Sequence, residues 1–207
     1  MTINSVMKDH WEKIYRDKRS DEVSWWQENP KTSLDFIHSL RLPTSARIID
    51  VGGGDSKLVD ALLDEGFENI TVLDISENAI ERAKQRLGGR AQDVHWIVSD
   101  VNAFHPQSPY DLWHDRATFH FLTTDPDIAQ YITIARQAVR NSGYLIMGTF
   151  STSGPKTCSG LTIRQYTEQT LASRLEEGFK KITCITEDHV TPFGTKQNFL
   201  FCSFQRL

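Results

Sequence analysis

The densest run of residues suited to ligand chemistry is Ile48-Ile49-Asp50-Val51-Gly52-Gly53-Gly54-Asp55-Ser56. Glycines in such a turn let the backbone approach a ligand and take positive φ. Turns of this kind often seat a pyrophosphate on the N-terminus of the helix behind them. The spacing argues against that here. A dinucleotide fingerprint needs G-x-G-x-x-G, and counted from Gly52 its third glycine falls on Lys57. The phosphate-cradling G-x-x-x-x-G-K-S/T is absent as well. Asp74, followed by Ile75, closes the next apolar run. A carboxylate there, roughly 20 residues past the turn, can accept both hydroxyls of a ribose. Asp100, followed by Val101, closes the third run and can accept from an adenine amino group. Each feature has a plainer reading: a packing turn, a surface aspartate, a helix cap. Together, three carboxylates at three successive run ends beside one glycine turn point to an adenosine ligand without phosphates.

A second constellation is Trp113-His114-Asp115-Arg116-Ala117-Thr118-Phe119-His120. Two histidines, a carboxylate and a guanidinium fall within seven residues. Histidine, with a pKa near 6.5, is the natural proton acceptor at neutral pH. Asp115 has three candidate roles: holding an amino group of the ligand, orienting a histidine, or positioning an amine. Arg116 suits an anionic acceptor or a thiolate. The plainer alternative is a local Asp–Arg pair with buried structural histidines. His114 and His120 lack the spacing of a zinc site, and Asp100 and Asp115 lack a third oxygen ligand for Mg²⁺, so no metal is expected.

These residues need elements to position them. Arg47–Val51, Ile70–Leu73, Val94–Val98, Tyr110–Trp113 and Tyr144–Phe150 read as buried strands. Helices are expected from Ser56 to Glu65, from Ser76 to Leu87, from Asp125 to about Arg140, and over Glu168–Leu175. Strands alternating with helices imply an α/β, doubly wound, mostly parallel sheet. Two late strands, about Phe179–Thr186 and Asn198–Phe204, lack a helix between them and predict a hairpin with one antiparallel strand. Residues 1–45 differ: helices over Met7–Asp17 and Lys31–Leu40 flank the pair Trp25-Trp26. They read as an N-terminal helical cap over a catalytic domain of residues 46–207. Trp26 and its neighbours either cover the ligand or anchor the cap.

D-x-G-G-G after the first strand, Asp after the second and S-D-V after the third resemble the class I S-adenosylmethionine-dependent methyltransferases. The resemblance implies a Rossmann-like, seven-stranded sheet with an antiparallel last strand. It implies that Asp50, Gly52, Gly53 and Gly54 lie under the methionine end of the cofactor, with His114 and Trp26 nearby. It places Asp74 and Ile75 at the ribose, and Asp100 and Val101 at the adenine. The product would be S-adenosylhomocysteine. Trp11-x-x-x-Tyr15, Trp25-Trp26 and Asp115-Arg116-Ala117 narrow the resemblance toward the thiopurine methyltransferase group. That implies a small, soft acceptor such as a thiol, held and activated by Asp115, Arg116, His114 and His120. Some protein-lysine methyltransferases share W-E-x-x-Y and D-x-x-T-F, which makes a lysine acceptor the alternative. A non-catalytic protein that only binds the cofactor is the reading from another class.

Composition bounds the rest. The chain has 207 residues, 23 basic and 27 acidic, with net charge −4. That disfavours nucleic acid and anionic membrane as partners. No apolar run reaches the ~18 residues of a membrane helix. Met1–His10 carries no signal core. Cys158, Cys184 and Cys202 are odd in number and far apart, which reads as neither a disulfide framework nor a metal site. The expectation is a reduced, cytoplasmic enzyme, monomeric or a homodimer, with a role for Cys158 and its loop left open.

Overall fold

The computed structural model describes residues 3–207. Met1 and Thr2, where the Met1–His10 reading begins, lie outside the described residues. In chain order the elements are α1 (Ile3–Asp17), α2 (Lys31–Ser39), β1 (Arg47–Val51), α3 (Leu58–Asp64), β2 (Asn69–Asp74), α4 (Glu77–Leu87), β3 (Val94–Val98), β4 (Tyr110–Arg116), α5 (Asp125–Ala138), β5 (Val139–Phe150), β6 (Thr157–Cys158), β7 (Leu161–Thr162), α6 (Glu168–Leu175), β8 (Phe179–Val190) and β9 (Lys196–Arg206). Seven strands form one sheet in the order β3-β2-β1-β4-β5-β9-β8. β1 to β5 run parallel, and β9 is antiparallel to both neighbours. This is the doubly wound, Rossmann-like sheet that the strand–helix alternation requires.

Alternation along each strand divides the core in two. Ile49, Val51, Trp113 and Met147 face α5 and α6. Ile48, Leu112, Ile146 and Phe201 face α2 and α3. Strand order reverses between β1 and β4, and an open α/β sheet binds its ligand in the crevice at such a switch point. The glycine turn follows β1 at that point.

Three boundaries differ from the sequence expectation. β4 continues through His114, Asp115 and Arg116, because it is central and pairs with both β1 and β5 there. Tertiary pairing overrides the low strand propensity of these polar residues. α5 stops at Ala138, and β5 begins at once through an irregular stretch in which the register shifts and Ser142 has φ +61°. The loop after β5 holds a miniature hairpin, β6–β7, which buries Cys158.

The expectation of unpaired cysteines is overturned for two of the three. Cys184 and Cys202 are register partners across the β8–β9 hairpin and form a disulfide with Cα atoms 4.1 Å apart. Cys158 is free. Hairpin register, which cysteine spacing does not encode, makes the pair. Among the described residues no helix is long and apolar enough to cross a membrane.

Candidate functional site

The strand ends converge on a cavity of about 400 Å³. Gly52, Asp74, Ile75, Ser99, Asp100 and Val101 line one end. Trp11, Trp25, Arg116, Phe121 and Cys158 line the other. A smaller pocket of about 50 Å³ adjoins it beyond the glycine turn, lined by Asp50, Gly53, Trp26, Lys57, Arg82 and His114. Tyr15, Trp25, Gly52 and Arg116 border both.

The glycine turn is shaped by what crowds it. Gly52 has φ +66°, and a Cβ there would overlap the Thr118 hydroxyl, which donates to Val51 O at 3.2 Å. At Gly54, φ +41°, a Cβ would come within 2.7 Å of Asp74 Oδ2. Only glycine lets the backbone pass under these groups. Ser56 accepts from Leu58 N–H at 3.1 Å and helps start α3.

Asp74 is buried, and its Oδ1 accepts from Ser76 N–H at 2.8 Å. Burial, reinforced by the charges of Asp50 and Glu12, pushes its pKa up to about 7 despite that bond. Asp100 accepts from Asn102 N–H at 2.8 Å and stays partly open to the cavity. These oxygens retain acceptor capacity toward donors on a ligand.

Beneath the turn lies a buried polar chain. His114 Nδ1 is 2.7 Å from Asp50 Oδ1, and His114 Nε2 is 2.9 Å from Ser33 Oγ. The carboxylate only accepts, so Nδ1–H donates to Asp50 and Nε2 accepts from the hydroxyl. Ser33 belongs to α2, so the segment before β1 reaches the residues beneath the glycine turn. Its partner was invisible to spacing.

The two residues after His114 part company. Asp115 has no exposed surface and points toward α5. It accepts from Tyr131 Oη at 2.6 Å, Thr118 N–H at 3.0 Å and Phe119 N–H at 3.2 Å. Burial nevertheless raises its pKa to about 6. Its side chain lies outside the cavity lining, engaged within the fold.

Arg116 faces the other way. Its Nη1 donates to Trp25 O at 2.9 Å, and its guanidinium lies 4.9 Å from the centre of the Phe199 ring. Its Nε and Nη2 are buried without a partner. Burial lowers its pKa to about 10, so it stays charged at neutral pH. His120 is fully buried, stacks on Phe150 at 4.5 Å, and has no partner at either nitrogen. Burial and the charge of Arg116 push its pKa down to about 3. At neutral pH it is an uncharged imidazole, without the basicity expected of a free histidine. Burial raises the Cys158 thiol, which keeps it protonated.

The N-terminal cap contributes more than spacing disclosed. Glu12 accepts from Glu77 N–H at 2.8 Å, Asn78 N–H at 3.1 Å and Ser76 Oγ at 3.0 Å. It thus caps α4 from another helix and latches α1 beside Asp74. Tyr15 is brought to the wall of the cavity. Trp11 packs edge-on against Trp25 at 5.6 Å and against Phe121 at 5.1 Å. Of the tryptophan pair, Trp25 lines the cavity, while Trp26 borders the small pocket with Lys57 Nζ 5.8 Å from its ring centre. Among the described residues no group of three His, Cys, Asp or Glu is placed to hold a metal.

Residues 48–143 match a family model described as a methyltransferase domain. The chain is 25% identical over 122 residues to the eEF1A lysine and N-terminal methyltransferase of Mus musculus, which covers 58% of this chain but 17% of that protein. It is 21% identical over 194 residues to the human EEF1A lysine methyltransferase 2, covering 84% of this chain and 74% of that one. Among solved structures, one described as the conversion of a disulfide bond into a thioacetal group during echinomycin biosynthesis superposes with TM-score 0.78 at 17% identity, covering 97% and 93% of the two chains. The 1,6-didemethyltoxoflavin-N1-methyltransferase of Burkholderia thailandensis, bound to S-adenosylhomocysteine, gives 0.73 at 18% identity, covering 98% and 88%.

Proposed function

The chain carries a class I, S-adenosylmethionine-dependent methyltransferase domain, and we propose that it moves the methyl group to a small-molecule acceptor. The cofactor supplies a methyl group on a sulfonium; the acceptor lone pair forms the new bond while the departing sulfur keeps the electrons of the old one. Asp74 takes the ribose hydroxyls, and Asp100 with Val101 takes the adenine. Gly52–Gly54 lie under the amino-acid tail, with Asp50 held in place by His114. The donor set fits the group: Asp74 and Asp100 each keep acceptor capacity toward the cavity, and the positive-φ glycines open the space between them.

The observation that supports a small acceptor is how the other end is enclosed. Trp11 and Trp25 from the cap, Phe121 from the segment after β4, and Cys158 from the β6–β7 hairpin surround it together with Arg116. Walls drawn from several segments suit a small ligand and hold it in line for displacement. Among the described residues no histidine lines the main cavity, so an acceptor that arrives already nucleophilic, such as a thiolate, is the best match.

A protein-lysine acceptor is the second reading, favoured by the names of the curated relatives. Incubation with methyl-labelled cofactor and cell extract, followed by fractionation, separates the two. Label in the small-molecule or volatile fraction supports the proposal; label confined to a protein band overturns it. The pH profile is a second check. A lysine amine must lose a proton first, so its rate climbs about tenfold per unit below pH 10. A thiolate acceptor levels off one to two units earlier.

A further inference from the structure

The Arg116 guanidinium presents an edge that the protein leaves unused. Nε–H and Nη2–H lie along one edge of the guanidinium plane, and both nitrogens are buried without a protein partner. Nη1, on the other side, is spent on Trp25 O. The guanidinium carbon lies 4.9 Å from the centre of the Phe199 ring. Every carboxylate near it is engaged elsewhere. Asp50 pairs with His114, Asp115 with Tyr131 and two backbone amides, and Glu187 accepts from the Thr32 hydroxyl. Among the described residues Arg116 forms no salt bridge. Behind it, His120 is buried, lines no cavity and is uncharged, so it sets no competing charge against the guanidinium.

A buried cation with unmet donors is costly unless a ligand supplies the counter-charge. The side-on pair Nε–H and Nη2–H matches the two oxygens of a carboxylate in a bidentate bond. A single guanidinium suits one negative charge better than the two of a phosphate. The cofactor's own carboxylate has other cations within reach, since Lys57 and Arg82 border the pocket past the glycine turn.

We infer that the methyl acceptor is a small molecule that carries a carboxylate in addition to its nucleophilic atom, and that the Nε–Nη2 edge of Arg116 anchors this carboxylate. This rests on the methyl-transfer reading for the acceptor's identity, but the carboxylate site is testable without turnover. The protein is saturated with S-adenosylhomocysteine. Acetate, butyrate and benzoate are then titrated against their primary amides by calorimetry or ligand-detected NMR. At least one carboxylate should bind about tenfold or more tightly than its amide. Arg116→Gln should erase that preference. Arg116→Lys, which keeps the charge and loses the fork, should erase most of it. Affinity for S-adenosylhomocysteine should change less than about threefold in both variants.

Equal binding of acids and amides by the native protein would overturn the inference, whether or not the variants fold. So would a tenfold loss of S-adenosylhomocysteine affinity in Arg116→Gln that is absent for 5′-methylthioadenosine, which lacks the amino-acid tail; the edge would then belong to the cofactor. Carboxylate preference without label transfer in extracts would sink the methyl-transfer reading alone.

Discussion

The two ends of the main cavity are built on different terms. At the Asp74–Asp100 end, each carboxylate is steadied by a backbone N–H two residues on, and each strand end places one of them. At the Arg116 end, the polar groups come from separate segments, and two nitrogens of Arg116 lack a partner, as do both ring nitrogens of buried His120 behind it. Folding satisfies what it can, because an unpartnered buried donor costs about 1–3 kcal/mol. Of these residues Arg116 lines the cavity, where a ligand can complete its bonding. On the proposed reading the first end is preformed for the cofactor, and the unpaired nitrogens of the second bear on what it accepts.

Variants can break or sharpen this contrast. The largest effect is expected from Gly52→Val, which forces a side chain into the Thr118 hydroxyl at positive φ. S-adenosylhomocysteine affinity by calorimetry should fall at least about a hundredfold, with the apo protein still folded by circular dichroism. Retained binding would mean that the turn is only a packing device.

Asp74→Ala should weaken the same affinity about 10- to 100-fold, the worth of a charge-assisted pair of hydrogen bonds. The pH dependence sharpens the point. The Asp74 pKa is raised to about 7, and ribose hydroxyls prefer the ionised form, so native affinity should rise about tenfold from pH 6 to 7.5 and then level. Asp74→Asn should flatten that rise. A native profile without it removes the ribose role.

His120 tests the other end through stability. Its folded pKa, about 3, lies below the unfolded value near 6.5, so below pH 6.5 the unfolded chain binds the extra proton. The stability present above pH 6.5 is lost on acidification. At pH 5 this amounts to about 2 kcal/mol. Melting curves from pH 7 to 5 should show it in the native protein, and His120→Gln should remove that share. An identical slope in the variant would mean that the imidazole is solvated.

The smallest effect belongs to Ser33→Ala. Removing the hydroxyl that bonds buried His114 should cost about 1 kcal/mol in thermal unfolding. No change would show that α2 does not support the chain beneath the glycine turn.

The two ends also differ in how legible they were. Asp74 and Asp100 sit at the ends of apolar runs, where strand, turn and following helix are neighbours in sequence. Asp115 and Arg116 look alike in sequence as a charged pair. Alternation sends them to opposite faces, one into a saturated network and one to the cavity. Tyr15 and Glu12 showed only as parts of short motifs with Trp11, since Gly54 and α4, beside which they stand, are remote in sequence. No local pattern announces that a carboxylate in the first helix caps the fourth.

What the chain alone determined is the strand–helix alternation, the glycine turn and the carboxylates that close each strand, because hydrophobic period and turn chemistry act over a few residues. Only the tertiary structure decided the long-range pairings. It paired His114 with Asp50 and Ser33, withdrew Asp115, left Arg116 an unpaired edge, and joined Cys184 to Cys202. Those outcomes depend on register across a seven-stranded sheet and on a cap folded back over it. Whether a buried polar group is satisfied is settled by which distant segment arrives beside it.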